Sequence, residues 1–299
     1  MQKKTGNETE ARALEALEAG QKGDSQAAIL VVSFGTSYND SRDATIGAIE
    51  EAVTDAFSDY EVRRAFTSQI IIDKLKERDN LEIDNVTEAL DRAVADGIKE
   101  LIVQPTHLMD GYEYNDILDE MSDYVDKFDK IIVGDPLLSG DPDFDAVAQA
   151  ITAWTASFDD GKTAICFMGH GTEADSNRVY EKMQKTLADL GFENYYIGTV
   201  EAQPELKDVM EALEAKGGYE KAVLQPLMVV AGDHANNDMA GDGEDSWKTI
   251  LEREGYEVEC ILEGLGQIPA IRDIYMEHIK TAIEKDTAFT GVKKLRPIG

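Results

Sequence analysis

Ile29-Leu-Val-Val-Ser-Phe-Gly-Thr36 has a counterpart later in the chain, Ile165-Cys-Phe-Met-Gly-His-Gly-Thr172. Each is an apolar run of strand length that stops at a glycine and a hydroxyl residue. A second match follows in the same order. Gln104-Pro105, then Gly111 and Asn115, has the spacing of Gln225-Pro226, then Gly232 and Asn236. Two matches in one order, each after a strand-like run, indicate an internal duplication.

Outward from these anchors, short β-rich runs alternate with longer helical patterns. The strand candidates are Ala27–Phe34, Tyr60–Phe66, Glu100–Gln104, Lys130–Gly134, Thr163–Met168, Asn194–Val200, Lys221–Gln225 and Glu257–Leu262. Apolar residues at helical spacing mark Asp43–Phe57, Glu88–Asp96, Tyr112–Lys127, Asp143–Trp154, Arg178–Leu190, Glu205–Lys216, Trp247–Glu254 and Ile268–Lys285. Nearly continuous apolar strands separated by helices predict parallel sheets covered on both faces. The expected fold is α/β, with two similar Rossmann-like halves, each a four-stranded parallel sheet flanked by helices. The expected divisions are a leader or short helix over 1–26, an N-terminal half over 27–140 and a C-terminal half over 141–299.

The chain has 299 residues and a formal net charge of −31. That field argues against nucleic-acid binding, since no Lys/Arg cluster offsets it. No apolar stretch is long enough to span a bilayer, so membrane insertion is not expected. Cys166 and Cys260 lie in apolar runs without a CxxC pattern, which fits buried free thiols and a cytoplasmic setting. Residues 1–26 lack the apolar region of an intact signal peptide; an exported mature chain with its signal removed is the alternative. The sequence carries no GxGxxG or GxxxxGK[ST], so no nucleotide is expected. Ser33 and Ser37 lack a nucleophile-elbow context.

In open parallel α/β sheets, ligands bind beyond the carboxyl ends of the strands. Three residues of the second half stand there: His170 in Gly169-His170-Gly171, Glu201 after Asn194–Val200, and His234 after Lys221–Gln225. Two imidazoles and a carboxylate suit Co²⁺, Ni²⁺, Fe²⁺ or Zn²⁺. The spacing is too open for a closed structural zinc site. The duplication puts Phe34 in the place of His170 and Glu113 in the place of His234. Each half then contributes differently: metal ligands from one, an aromatic face and a carboxylate from the other. His107 falls on the same rim as Phe34 and Glu113, and these three are the candidate substrate-binding residues. His278 sits within the last helix and reads as a surface residue. Asp233 and Asp238 could orient His234 from behind, or cap the helix that follows.

The same residues carry a family resemblance. Leu30-Val-Val-Ser-Phe-Gly-Thr-Ser37, Arg64-Ala-Phe-Thr-Ser68, Phe167-Met-Gly-His-Gly171, Val200-Glu201 and Ala231-Gly-Asp-His-Ala-Asn-Asn-Asp-Met239 resemble the anaerobic sirohydrochlorin cobaltochelatases of cobalamin biosynthesis. Asp245-Ser-Trp-Lys248 and Gly264-Leu-Gly266 extend the match, which covers about residues 27 to 285. The resemblance implies the chelatase fold related to ferrochelatase and the insertion of Co²⁺ into a sirohydrochlorin-type tetrapyrrole. It implies that His170 and His234 are catalytic and bind the metal, and that Glu201 completes the metal set. Glu113 matches an acidic position of the family. The family includes exported members and members that bind haem at a subunit interface. Haem and a homo-oligomer are thus compatible with the resemblance, although the residues do not predict haem. Ni²⁺ or Fe²⁺ as the metal, and a carrier without turnover, are the alternative readings. Sirohydrochlorin is a polycarboxylate, so local cations must offset the acidic field. Arg63, Arg64 and Lys248 are the candidates.

Overall fold

Strand β1 (Ala27–Ser33) is buried from Ala28 to its end, and β5 (Thr163–Gly169) is buried throughout. Such strands need cover on both faces, and they form the middle of two separate parallel sheets. The computed structural model of the protein describes residues 26–292. One sheet has the order β2-β1-β3-β4, with β2 at Glu61–Phe66, β3 at Glu100–Pro105 and β4 at Lys130–Val133. The other has the order β6-β5-β7-β8, with β6 at Tyr195–Thr199, β7 at Lys221–Pro226 and β8 at Glu257–Cys260. All eight strand candidates appear, within two residues at either end, and the pairings are parallel in both sheets.

The chain divides into two units. One holds residues 26–43, 47–137 and 275–292; the other holds 44–46 and 138–274. β1 leads through a helical turn, Asn39–Arg42, and a π-helical turn, Asp43–Gly47, whose residues 44–46 belong to the other unit, into α1 (Ala48–Ala56) of the first. Helices α2 (Gln69–Asp79), α3 (Val86–Ala95) and α4 (Tyr112–Ser122) follow. Asn85 starts α3 with a reciprocal cap: its side chain accepts from the Glu88 amide, and the Glu88 carboxylate accepts from the Asn85 amide. Leu90, Ala93, Leu101, Val103, Ile117 and Met121 pack into one core against Leu30 and Val32. The second unit holds α5 (Asp141–Thr155), α6 (Arg178–Asp189), α7 (Leu206–Lys216) and α8 (Trp247–Arg253). Cys166, Met168, Leu213, Leu224, Trp247 and Leu251 form its corresponding core.

The last helix, α9 (Pro269–Lys285), was expected with the second half. From Tyr275 onward the chain instead belongs to the first unit. The reason is specific: the fully buried Tyr275 hydroxyl donates to the Thr106 carbonyl at 2.8 Å. The Phe289 amide donates to the Ile131 carbonyl at 2.8 Å, and the Val292 amide to the Ser122 hydroxyl. His278, read as a surface residue, is half-buried there, with its Nδ1 3.2 Å from the Asp135 carbonyl. Apart from Gln26, the expected leader over 1–26 lies outside the described residues. No helix of the described residues is long and apolar enough to cross a membrane. Cys166 and Cys260 are free thiols.

Candidate metal centre

The duplication extends to the backbone hydrogen bonds at the strand ends. The Glu201 amide donates to the His170 carbonyl, as the Ser68 amide donates to that of Phe34. The Leu227 amide donates to Met168, as the Thr106 amide donates to Val32. Asn236 turns back on the Gly232 carbonyl with both its amide and its side chain; Asn115 does the same to Gly111. These bonds fix three equivalent positions at the ends of three adjacent strands. In the second unit they carry Glu201 after β6, His170 after β5 and His234 after β7.

Those three side chains meet. One ligand atom from each lies within 4.8 Å of the other two, and no other group of three metal-capable side chains occurs among the described residues. His170 Nε2 is 3.9 Å from the Glu201 carboxylate. The two imidazoles stand edge to face, with centroids 4.7 Å apart and an 82° angle between planes. Ligand atoms bound at about 2.1 Å to one ion can be at most about 4.2 Å apart. A side-chain adjustment of well under about 1 Å therefore gathers all three round a cation. The side chains of His170 and Glu201 are 46% and 54% exposed, so an ion held here stays accessible. Three protein ligands also leave coordination positions open, as catalytic rather than structural sites do.

Hydrogen bonding selects which nitrogen faces the ion. His170 Nδ1 lies 2.8 Å from the Gly171 carbonyl, which can only accept. Nδ1 therefore carries the proton, and in the neutral ring the lone pair is on Nε2. Gly171 is held by its amide, which donates to the Tyr180 hydroxyl at 3.2 Å. Its φ of +86° is open to glycine, and a Cβ there would meet the Ala202 amide nitrogen and Thr199 Oγ1 at 2.8 Å. The loop bearing Glu201 is closed by Thr199, whose hydroxyl donates to the Ala202 carbonyl at 2.5 Å. His234 Nδ1 lies 2.7 Å from the Asp238 carboxylate, which again leaves Nε2 for the ion. Asp238 thus takes the first of the two roles the sequence left open, since it bonds His234 and caps no helix. Asp233 accepts from the Asn237 side chain at 2.9 Å. Sequence reasoning did not find the parts played by the Gly171 carbonyl, Tyr180 and Thr199. The flanking glycines of His170 were the available signal, because a positive φ aims a carbonyl where an ordinary residue does not.

In the first unit the equivalent positions hold Phe34, Ser68 and Glu113. Phe34 is 48% exposed, and Glu113 is exposed in the first turn of α4. His107 lies on the expected rim, but both of its ring nitrogens are buried and have no hydrogen-bond partner among the described residues. Burial pushes its pKa down to about 4, against a smaller opposing effect of the Glu113 charge. His107, expected on the rim as a substrate-binding residue, is thus a neutral ring whose nitrogens are covered. The proposed cations also need correction. Arg63 is paired with Glu61 at 2.6 Å and Asp96 at 2.8 Å. Arg64 makes a two-pronged contact with the buried Glu50, at 2.8 and 2.6 Å. Both arginines satisfy carboxylates of their own unit. Lys248 makes an exposed pair with Asp242 at 2.9 Å, which is readily exchanged.

The chain is also similar to known proteins. The family model described as cobalt chelatase (CbiK) matches residues 27–284. A sirohydrochlorin cobaltochelatase of Salmonella typhimurium is 36% identical over 256 residues, covering 86% of this chain and 96% of that protein. Sirohydrochlorin cobaltochelatase CbiKC of Nitratidesulfovibrio vulgaris is 31% identical, covering 85% and 90%. Among solved structures, the sirohydrochlorin chelatase SirB of Bacillus subtilis in complex with cobalt superposes with a TM-score of 0.60 at 13% identity, over 87% of this chain and 96% of that one. At that identity it speaks for the fold alone, and the fold it supports is the two-half α/β chelatase fold.

Proposed function

We propose, from the premise that this chain belongs to the cobalt chelatase (CbiK) family, that it is a metal chelatase inserting Co²⁺ into sirohydrochlorin. The observation that carries this reading is the meeting of His170, Glu201 and His234 at three adjacent strand ends. Insertion exchanges two pyrrole N–H protons for the cation while the cation sheds water. His170 and His234 offer Nε2, and Glu201 offers a carboxylate oxygen. The set is loose and solvent-accessible, as suits an ion that must be released to the macrocycle. Imidazole is also the side chain that can take a proton near neutral pH, so one of the two histidines accepts a pyrrole proton as the ion leaves. Phe34 gives the flat ring system an exposed apolar face, and Glu113 a carboxylate for its pyrrole hydrogens. The partners are a tetrapyrrole and a divalent cation. Two free cysteines support a reducing, cytoplasmic setting.

The test mixes the protein with sirohydrochlorin and Co²⁺, Ni²⁺ or Fe²⁺ in parallel and follows the absorbance change of metalation. Co²⁺ insertion faster than the buffer control, and lost in His170→Ala and His234→Ala, is the expected result. Binding of the pigment without acceleration would make the protein a carrier.

A further inference from the structure

We infer that Asp238 is a positioning residue for insertion: it holds His234 with Nε2 turned to the cation and raises the donor strength of that imidazole. The inference rests on the reading of His234 as a metal ligand.

Four observations carry it. First, His234 Nδ1 and Asp238 Oδ2 are 2.7 Å apart, the separation of a charge-assisted hydrogen bond. Second, the Asp238 side chain makes no other hydrogen bond or ion pair among the described residues, and it is 44% exposed. Third, the pair sits on a π-helical turn, Ala235–Met239, where the Ala240 amide reaches back to the Ala235 carbonyl. The first unit has an ordinary α-helix, α4, at this place. Wide turns of this kind are rare and tend to occur at functional sites. Fourth, the duplication supplies an internal control. Asn236 and Asn115 are equivalent, so His234 answers to Glu113 and Asp238 to Ile117, which is fully buried. The carboxylate is present in the unit that has the imidazole, and the other unit has neither.

The two histidines are therefore backed differently. His170 leans on the neutral Gly171 carbonyl, and His234 on an anion. An imidazole that donates to a carboxylate is the better electron donor to a metal, and loss of such a partner typically weakens metal binding about 10–100-fold.

The experiment measures the Co²⁺ dissociation constant by calorimetry for the wild type, Asp238→Ala, Asp238→Asn and His234→Ala, with melting temperature and the KM for sirohydrochlorin alongside. Asp238→Ala should weaken Co²⁺ binding by about 10–100-fold, with melting temperature and tetrapyrrole KM unchanged. Asp238→Asn should fall between, because its amide oxygen still accepts from Nδ1–H but carries no charge. Wild-type Co²⁺ affinity in both Asp238 variants, with affinity lost in His234→Ala, would overturn the role of Asp238 and leave the metal site standing. Wild-type affinity in His234→Ala would overturn the metal reading of that ring, and this proposal with it.

Discussion

The two units share one backbone plan and differ in what they hang on it. At the strand ends the second unit presents Glu201, His170 and His234, and the first presents Ser68, Phe34 and Glu113, over matching hydrogen bonds. The fold supplies positions, and chemistry comes from three side-chain choices at those positions. The difference also extends behind the site. Asp238 beside His234 corresponds to a core isoleucine, Ile117, and a π turn replaces the first turns of α4.

The sharpest way to break this comparison is to remove the imidazoles. His170→Ala or His234→Ala should lower insertion by about a thousand-fold, or about 4 kcal/mol of barrier, in the metalation assay, with circular dichroism unchanged. Phe34→Ala should leave Co²⁺ affinity at its wild-type value.

The next contrast is between His107 and its counterpart in the second unit, Met228. His107 is neutral in the fold down to about pH 4, whereas an unfolded histidine protonates near its ordinary value of 6.5. The unfolded chain binds more protons between those values, so stability is lost as pH falls from about 6.5 towards 4, by up to about 3 kcal/mol. His107→Met gives the first unit the residue of the second. It should flatten the fall in melting temperature between pH 7 and pH 4.5.

Gly35 and Gly171 occupy equivalent positions with φ of +97° and +86°. Alanine at either should cost about 1–3 kcal/mol in thermal unfolding. A Cβ on Gly35 would strike the Phe66 ring at 2.6 Å. Only Gly171→Ala should also weaken Co²⁺ binding, since only that carbonyl supports a proposed ligand, His170. The smallest expected effect is on substrate: Phe34→Ala should raise the KM for sirohydrochlorin about tenfold, near 1.4 kcal/mol, through lost apolar contact.

Much of this was legible in the sequence. Apolar runs such as Ala27–Ser33 and Thr163–Gly169 leave little choice but a strand covered on both faces, and the Gln–Pro, Gly and Asn spacings fix the duplication. Because the sheet is parallel, the ends of its strands are the reactive rim, so His170, Glu201 and His234 could be placed together without coordinates. What was not legible depends on contacts remote in sequence or on helix pitch. The pairing of Arg64 with Glu50 depends on α1 lying beside β2. Nothing local to His107 announces that both of its nitrogens are covered. Spacing alone does not tell a π turn from an α turn at Ala235–Met239, so the role of Asp238 stayed open between two readings.

The return of residues 275–292 to the first unit bears on how the protein is made. Tyr275 and Phe289 complete a unit whose strands are all synthesised by Val133. As the chain leaves the ribosome, the earlier-made unit must wait, without its Tyr275 and Phe289 contacts, while the whole of the later one emerges. The unit with the proposed metal ligands has almost all of its own parts by then and can settle first. Order of synthesis and order of completion therefore run in opposite directions.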